Sequence, residues 1–379
     1  MRNVSVVGAG MIRFGKFPDR TVEEMGVQAS LHALRHAGMK HKEIEAAFAG
    51  NMGNAPSVGE RVLDALGLSG VTTLNYENAC GSGASAFRDA FVSVAAGVYD
   101  RVLVMGVESM TRKIKGLMRA DDGTSLMVDM GLVAPAYFAL LANRHAEDYG
   151  TTPEQLAQIS VKNHKHGVLN PYAQYQKVVT LDEVLNSQMI CDPITLLQCT
   201  PIGDGAAALV LTSEKVSRQY TDKPVRIEAS VLTTCRMKTG AGSATQETCV
   251  RAAREAYEIA GIGPEDLDVI ELHDCFTAHE LIAVEDLGLC PKGEGGRMAV
   301  EGVTALGGKI PVNPSGGLLS KGHPIGATGV AQIVELVWQL RGECDKRQVE
   351  GARVALAHNG GGIGSVLEPS AMSITILTR

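Results

Sequence analysis

The chain has 379 residues, 45% hydrophobic and 20% charged, which is ordinary globular composition with ample length for a buried core. Its 35 Lys and Arg against 42 Asp and Glu leave a net charge of −7, and aromatics are only 4%. Both values argue against a broad nucleic-acid face or a base-stacking platform. No apolar run approaches the ~20 residues of a membrane span. The N-terminus MRNVSVVGAG lacks the design of a signal peptide, and the eight cysteines read as free thiols of a cytoplasmic protein, not as a disulfide scaffold.

In chain order, VSVVGAG reads as a core strand followed by a plain turn, because the third glycine of a dinucleotide fingerprint is missing. From Leu31, LHALRHAGMKHKEIEAAFAG predicts a helix, an Ala-Gly stop, a short loop and a strand. The same grammar returns in REAYEIAGIGPEDLDVIELH from Arg254. At an offset of 223, Ala33 meets Ala256, Ala37–Gly38 meets Ala260–Gly261, Ile44 meets Leu267 and Glu45 meets Asp268. Further on, Ala65–Leu68 resembles Asp286–Leu289, Gly83–Ala84–Ser85 matches Gly326–Ala327–Thr328, and Arg101–Val102 matches Arg353–Val354. The preserved order predicts a duplicated α/β unit with halves at 1–224 and 225–379, the first completed by a strand pair near 200–213. Residues 113–198 have no counterpart in the second half and read as an inserted loop domain.

Aligned on their glycines, ACGSGASAF and KGHPIGATG put Cys80 on His323, each just before a small-residue turn and an apolar helix. Taken alone, Cys80 reads equally well as a small packing residue. A helix start, with its dipole and unpaired N–H groups, predicts a lowered thiol pKa. A histidine at the equivalent position then points to a cysteine–histidine nucleophile pair across a pseudo-twofold axis. HDCF, His273–Phe276, follows the apolar strand VIEL, where α/β sheets present active-site groups, and alternation puts His273 and Cys275 on one side. A zinc cluster of His273, Cys275, His279 and Cys290 is the weaker reading, because its spacing is irregular. His164 and His166 read as solvated surface residues. HNGGGIG, His358–Gly364, offers glycines that let backbone N–H groups approach an oxyanion.

These residues resemble the thiolase family. The matching motifs are NACGSG around Cys80, GVESM at Gly106–Met110, DGAAALVL at Asp204–Leu211, NPSGGLLSKGHPIGATG around His323 and the glycine turn at His358. HDCF makes the chain similar to the sterol-carrier-protein-type branch, whereas other thiolases carry Asn-Glu-Ala-Phe there and a cysteine at the place of His358. The resemblance implies an α/β thiolase fold, in which duplicated half-domains form a five-layered αβαβα sandwich with an inserted loop domain. It also implies a homodimer or dimer of dimers and a setting in lipid metabolism such as β-oxidation.

For the chemistry, the resemblance implies an acyltransferase that cleaves a 3-oxoacyl-CoA with CoA or runs the reverse Claisen condensation. Cys80 would be the nucleophile, activated by His323, and Cys275 would replace the missing second cysteine as acid/base. His323 and His273 would stabilise the enolate oxygen. The backbone N–H groups of Cys80 and Gly360 would form a second oxyanion hole, and His358 would sit beside Cys275. CoA is a substrate, so no cofactor or metal is expected. Arg112, Lys113 and Lys115, with Arg119, are the candidates for its phosphates. Neither nucleic acid nor membrane is expected as a partner. The alternatives are a Cys-His-His acyl-condensing synthase, a retro-aldol lyase, and a subunit that works with a small zinc-ribbon/OB-fold partner on a bulky or aromatic acyl-CoA.

Overall fold

A computed structural model of the chain describes residues 1–54, 56–114, 116–118, 129–236, 244–364 and 368–379. The first half runs β1 (Val4–Met11), α1 (Val22–Ala37), β2 (Ala46–Gly50), α2 (Val58–Leu66), β3 (Thr72–Tyr76), α3 (Ser82–Ala95) and β4 (Arg101–Ser109). The inserted stretch carries α4 (Ala134–Tyr149), α5 (Pro153–Gly167), α6 (Leu181–Leu185) and a small hairpin of β5 (Met189–Cys191) and β6 (Ile194–Thr195). β7 (Asp204–Ser213) and the single turn α7 (Glu214–Ser217) complete the first half. The second half runs β8 (Val225–Thr234), α8 (Glu247–Ala260), β9 (Val269–Glu271), α9 (Thr277–Asp286), α10 (Gly295–Val300), α11 (Gly317–Lys321), α12 (Ile325–Arg341), β10 (Val354–Gly361) and β11 (Ala371–Thr378).

Both Ala-Gly stops end helices. Gly38 closes α1 at φ 64° and Gly261 closes α8 at φ 65°, the left-handed conformation that ends a helix at glycine without a Cβ clash. A 3₁₀ turn and a strand follow each one, His41–Glu43 before β2 and Pro264–Asp266 before β9, again 223 residues apart. The strands form one sheet in the order β3-β2-β4-β7-β1-β8-β11-β10-β9. The halves meet at β1 and β8, where Ser5 pairs with Arg226 and Val6 with Val225. On one side β2 is parallel to β3 and β4, and β7 is antiparallel to β4 and β1. On the other side β9 is parallel to β10, and β11 is antiparallel to β10 and β8. The expected strand pair near 200–213 is one long strand, β7, because the Asp204 carboxylate fixes the chain entering it. That carboxylate accepts the N–H groups of Phe17, Met110 and Thr111.

Five layers result. α1 covers β1, β4 and β7 on one outer face, and α8 covers β8 and β11 on the other. Between them lie α3 and α12, packed on each other and on strands of both halves. All 17 residues of α12 are buried, as a helix apolar on every side requires. The two inner helices start almost in backbone contact. A Cβ on Gly83 would lie 2.6 Å from the Gly326 carbonyl oxygen, and one on Gly329 would lie 2.5 Å from the Ala84 nitrogen. Glycine at these helix starts lets the loops carrying Cys80 and His323 meet.

The inserted helices lie over the second half, with α4 against α9, and α5 against α9, α10 and α11. This packing overturns the expectation of solvated His164 and His166, which are 3% and 4% exposed. His166 Nε2 accepts the Leu306 N–H at 2.9 Å, so its Nδ1–H donates to the Asn313 carbonyl at 2.9 Å. Among the described residues no helix is long and apolar enough to cross a membrane.

Candidate active site

Four segments converge at the ends of the inner layer. They are the loop before α3 (Cys80), the loop before α12 (His323), the turn after β9 (His273 and Cys275) and the end of β10 (His358 onward). The ligand atoms of Cys80, His273 and His323 all lie within 4.8 Å of one another, as do those of His273, Cys275 and His279. His273 therefore joins the two thiols. Its ring stands at 90° to that of His323, with centroids 5.0 Å apart.

The hydrogen bonds fix which nitrogen of each ring faces the site. Thr328 Oγ1 donates to the Pro324 carbonyl at 3.0 Å, so it accepts from His323 Nδ1–H at 2.6 Å. His323 Nε2 is left as a buried lone pair without a protein partner. Asn359 Nδ2 donates to His273 Nδ1 at 3.0 Å and to Gln332 Oε1 at 3.1 Å, which leaves the His273 proton on Nε2. Gln332 Nε2 in turn holds the His358 carbonyl at 3.0 Å. The two histidines over Cys80 are thus a proton acceptor and a proton donor.

Burial keeps both rings neutral. His323 is pushed down to about 3, chiefly by burial and then by the Lys321 charge. His273 lies well below the usual histidine value, from burial and then from the neighbouring rings. Cys80 departs from expectation. As a residue it is half-buried, yet its thiol is desolvated, and burial pushes it up to about 12. Its own backbone N–H and that of Gly362 pull the other way without prevailing. The helix start therefore does not yield a resting thiolate, and the proton needs a base. Ala79, just before the thiol, is held at φ 48°, a strained conformation for a residue with a Cβ.

Cys275 is also raised well above its usual value, by burial and then by its acidic neighbours Cys80 and Asp274. Asp274, between the two site residues, points away and accepts the Leu318 N–H at 2.7 Å and the Leu319 N–H at 3.3 Å, which pins the turn to α11. The ring beside Cys275 is not His358, as expected, but His279, with Nδ1 3.5 Å from Sγ. His358 is one ring further back, because its Nδ1 accepts the His273 backbone N–H at 3.2 Å. Gly360 stands in β10 opposite Met372, and the glycine whose N–H lies toward the Cys80 sulphur is Gly362. A Cβ on Gly361 would lie 2.1 Å from the Asn78 carbonyl, so this turn must be glycine to pass the Cys80 loop.

Around the centre, the buried Glu108 carboxylate ties the halves together. It accepts the N–H groups of Met52 at 2.8 Å, Gly53 at 3.1 Å and Gly326 at 3.0 Å. Arg112 and Lys113 are exposed at the turn that Asp204 holds, and Arg112 Nε is engaged with the Pro18 carbonyl. Lys115 and Arg119 lie outside the described residues. Among the described residues Cys290 is in neither cluster of potential ligand atoms. It faces Glu285 and Glu294. Sequence reasoning missed Thr328, Asn359 and Gln332, and it saw His279 only as a metal ligand.

A family model described as "Thiolase, N-terminal domain" matches residues 4–215, and one described as "Thiolase C-terminal domain-like" matches residues 232–377. The chain is 42% identical over 374 residues to an acetyl-CoA acetyltransferase of Methanothermobacter thermautotrophicus, covering 96% of this chain and 97% of that one. It is 43% identical over 392 residues to sterol carrier protein 2 of Bos taurus, covering 97% of this chain and 72% of that protein. Among solved structures, an "Ltp2-ChsH2(DUF35) aldolase" superposes with TM-score 0.86 at 25% identity, covering 98% of this chain and 97% of that one. Human mitochondrial 3-ketoacyl-CoA thiolase shares the fold, with TM-score 0.75 at 17% identity over 100% of this chain and 99% of that one.

Proposed function

The chain belongs to the thiolase family and is an acyltransferase of it, and from that premise we propose that it cleaves a 3-oxoacyl-CoA, or condenses two acyl-CoA molecules, through an acyl group carried on Cys80. The observation that carries this reading is the unpartnered, buried Nε2 lone pair of His323, a residue whose ring clusters with the Cys80 thiol and His273, ligand atoms within 4.8 Å of one another.

In the cleavage direction His323 Nε2 takes the Cys80 proton, and the sulphur attacks the 3-keto carbon. The C2–C3 bond then breaks, and its electron pair goes to the departing acetyl-CoA enolate. The enolate oxygen lies against His273 Nε2–H and the now protonated His323. Cys275 gives its proton to C2 and recovers one from the incoming CoA thiol, whose sulphur displaces Cys80 from the thioester. The backbone N–H of Cys80 and the glycine turn at 360–362, Gly362 foremost, hold the thioester oxygen. Removing one such donor typically costs roughly 10²–10³ in rate. CoA enters as substrate. Its phosphates are assigned to the exposed Arg112 and Lys113, with Lys115 from outside the described residues.

We divide the protein at 1–224 and 225–379 and take it to be a cytoplasmic homodimer or dimer of dimers. The open edge of β3, where Leu74 is 40% exposed, supports a second copy pairing there. A second reading, a subunit with a small zinc-ribbon/OB-fold partner, is favoured by likeness to an aldolase whose name includes a DUF35 component. Intact-mass measurement with a panel of 3-oxoacyl-CoA thioesters, with and without CoA, tests the first reading. An acyl adduct on the wild type, absent from Cys80→Ala and discharged by CoA, is the expected result. An adduct that persists on Cys80→Ala removes Cys80 from the mechanism. No adduct on the purified chain, with turnover recovered only in a co-purified complex, selects the second.

A further inference from the structure

Cys275 needs a route for its proton, and the ring of His279 provides one. His279 lies in the first turn of α9, four residues after Cys275, which lies in the segment leading into that helix. Its Nδ1 stands 3.5 Å from Cys275 Sγ, and its Nε2 stands 3.1 Å from Gln246 Oε1. Gln246 is fixed in turn. Its backbone N–H donates to Asp286 Oδ2 at 2.9 Å, and its Nε2 donates to the Tyr137 hydroxyl at 3.4 Å. With Oε1 accepting the Nε2–H, Nδ1 is left as a lone pair turned to the thiol. Phe138 of α4 closes the far side of the ring, with centroids 5.2 Å apart, so water does not compete from that side.

We propose that His279 is the proton acceptor for Cys275 and that Gln246 is the residue positioning it, so that the centre holds two cysteine–histidine pairs, Cys80 with His323 and Cys275 with His279. This rests on the reading of Cys275 as the second acid/base. In the condensation direction Nδ1 takes the Cys275 proton, leaving a thiolate beside an imidazolium. The thiolate then removes a proton from C2 of acetyl-CoA, which leaves the enolate, the thiol and the imidazolium. In the cleavage direction the thiol protonates C2, and the thiolate recovers a proton from the incoming CoA thiol by way of Nδ1. No electrons are transferred to or from an outside agent. The ring can hold the charge, because the His273 carbonyl and Gln246 Oε1 both face it as acceptors. Burial lowers His279 to about 4, which keeps it neutral and accepting at rest.

The C2–H exchange of acetyl-CoA in heavy water reads this step apart from the first one. His279→Asn, which fills the same space with a group that takes up no proton, is expected to slow exchange about 10²-fold or more. It should leave the burst of Cys80 acylation by a 3-oxoacyl-CoA at its wild-type amplitude. Gln246→Leu is expected to slow exchange about tenfold, as losing an orienting partner on the second ring nitrogen does. Gln246→Glu keeps an acceptor and should restore most of it. Exchange in His279→Asn within about threefold of wild type, with the burst retained, overturns the proposal and leaves the Cys80 chemistry standing. Equal loss of burst and exchange in His279→Asn and His279→Gln, with unchanged thermal unfolding, also overturns it, because the ring then serves both thiols. A wild type with no burst at all would instead refute the Cys80 reading.

Discussion

At Cys80 the thiol is set against its own ionisation, since burial outweighs the backbone N–H groups that favour the thiolate. Its reactivity therefore depends on the tautomer of His323, which a single hydroxyl sets. Thr328→Val keeps the shape of the side chain and removes the acceptor for Nδ1–H. The ring can then carry its proton on Nε2, facing the sulphur. The expected result is a fall of about 10–100-fold in kcat with KM little changed, read by steady-state kinetics. Equal kcat for variant and wild type would show that Thr328 does not set the tautomer. Cys80, His323, His273 and Cys275 were legible because each stands in a contiguous motif beside a helix start or strand end. Their partners were not. Thr328 passes for an ordinary residue of the first turn of α12, Gln332 and Gln246 are lone glutamines, and Asn359 hides among the glycines of HNGGGIG. Thr328 acts on a ring five residues away, and the other three act across distant segments that only the fold brings together.

The duplicated grammar carried from sequence into structure with its offsets intact. Gly38 and Gly261 end their helices, and Gly83 and Gly326 open the two inner ones. What the repeat could not announce was how closely α3 and α12 approach. Gly83→Ala would put a methyl 2.6 Å from a backbone oxygen, which cannot rotate out of the way as a side chain would. The expected cost is about 1–3 kcal/mol of stability, seen as a lower midpoint in denaturant. Slower Cys80 acylation should accompany it, because the loop that carries the thiol moves with the helix start. A variant with wild-type midpoint and wild-type acylation would mean that the inner layer is looser than the contacts require. The inserted stretch was recognised as an addition, yet its packing was not legible. The burial of His166 depends on Leu306 and Asn313, more than 130 residues further along the chain.

Over the whole molecule five buried histidines work against stability in acid. His166 and His323 are lowered to about 3 and His279 to about 4, while His273 and His358 lie well below their usual value, all chiefly by burial. Below the unfolded value near 6.5 the unfolded chain binds protons that the native protein refuses, so stability falls as pH falls. The slope approaches about 1.4 kcal/mol per pH unit for each such ring that stays neutral in the fold. Denaturant midpoints measured from pH 7.5 down to 5 should therefore drop steeply and show proton uptake on unfolding. The buried Asp274 and Asp286, raised to about 7 and about 6, take up protons in the fold and offset part of the drop, so a flat profile with no net proton uptake on unfolding would mean that the rings do not outweigh these carboxyls.

The shared inner layer also governs how the protein comes into being. The buried face of α3, including Phe87, Ala90 and Val94, is covered by Val330, Val334 and other residues of α12 in one continuous core. A ribosome delivers the first half before α12 exists, and at roughly 5–20 residues per second the bare face waits many seconds for its cover. Residues 1–224 expressed alone are thus expected in the insoluble fraction, and co-expressed 225–379 should return them to solution. A nascent chain of this fold therefore relies on chaperone shelter late in synthesis, and a translational pause after β7 would lengthen its exposure to aggregation.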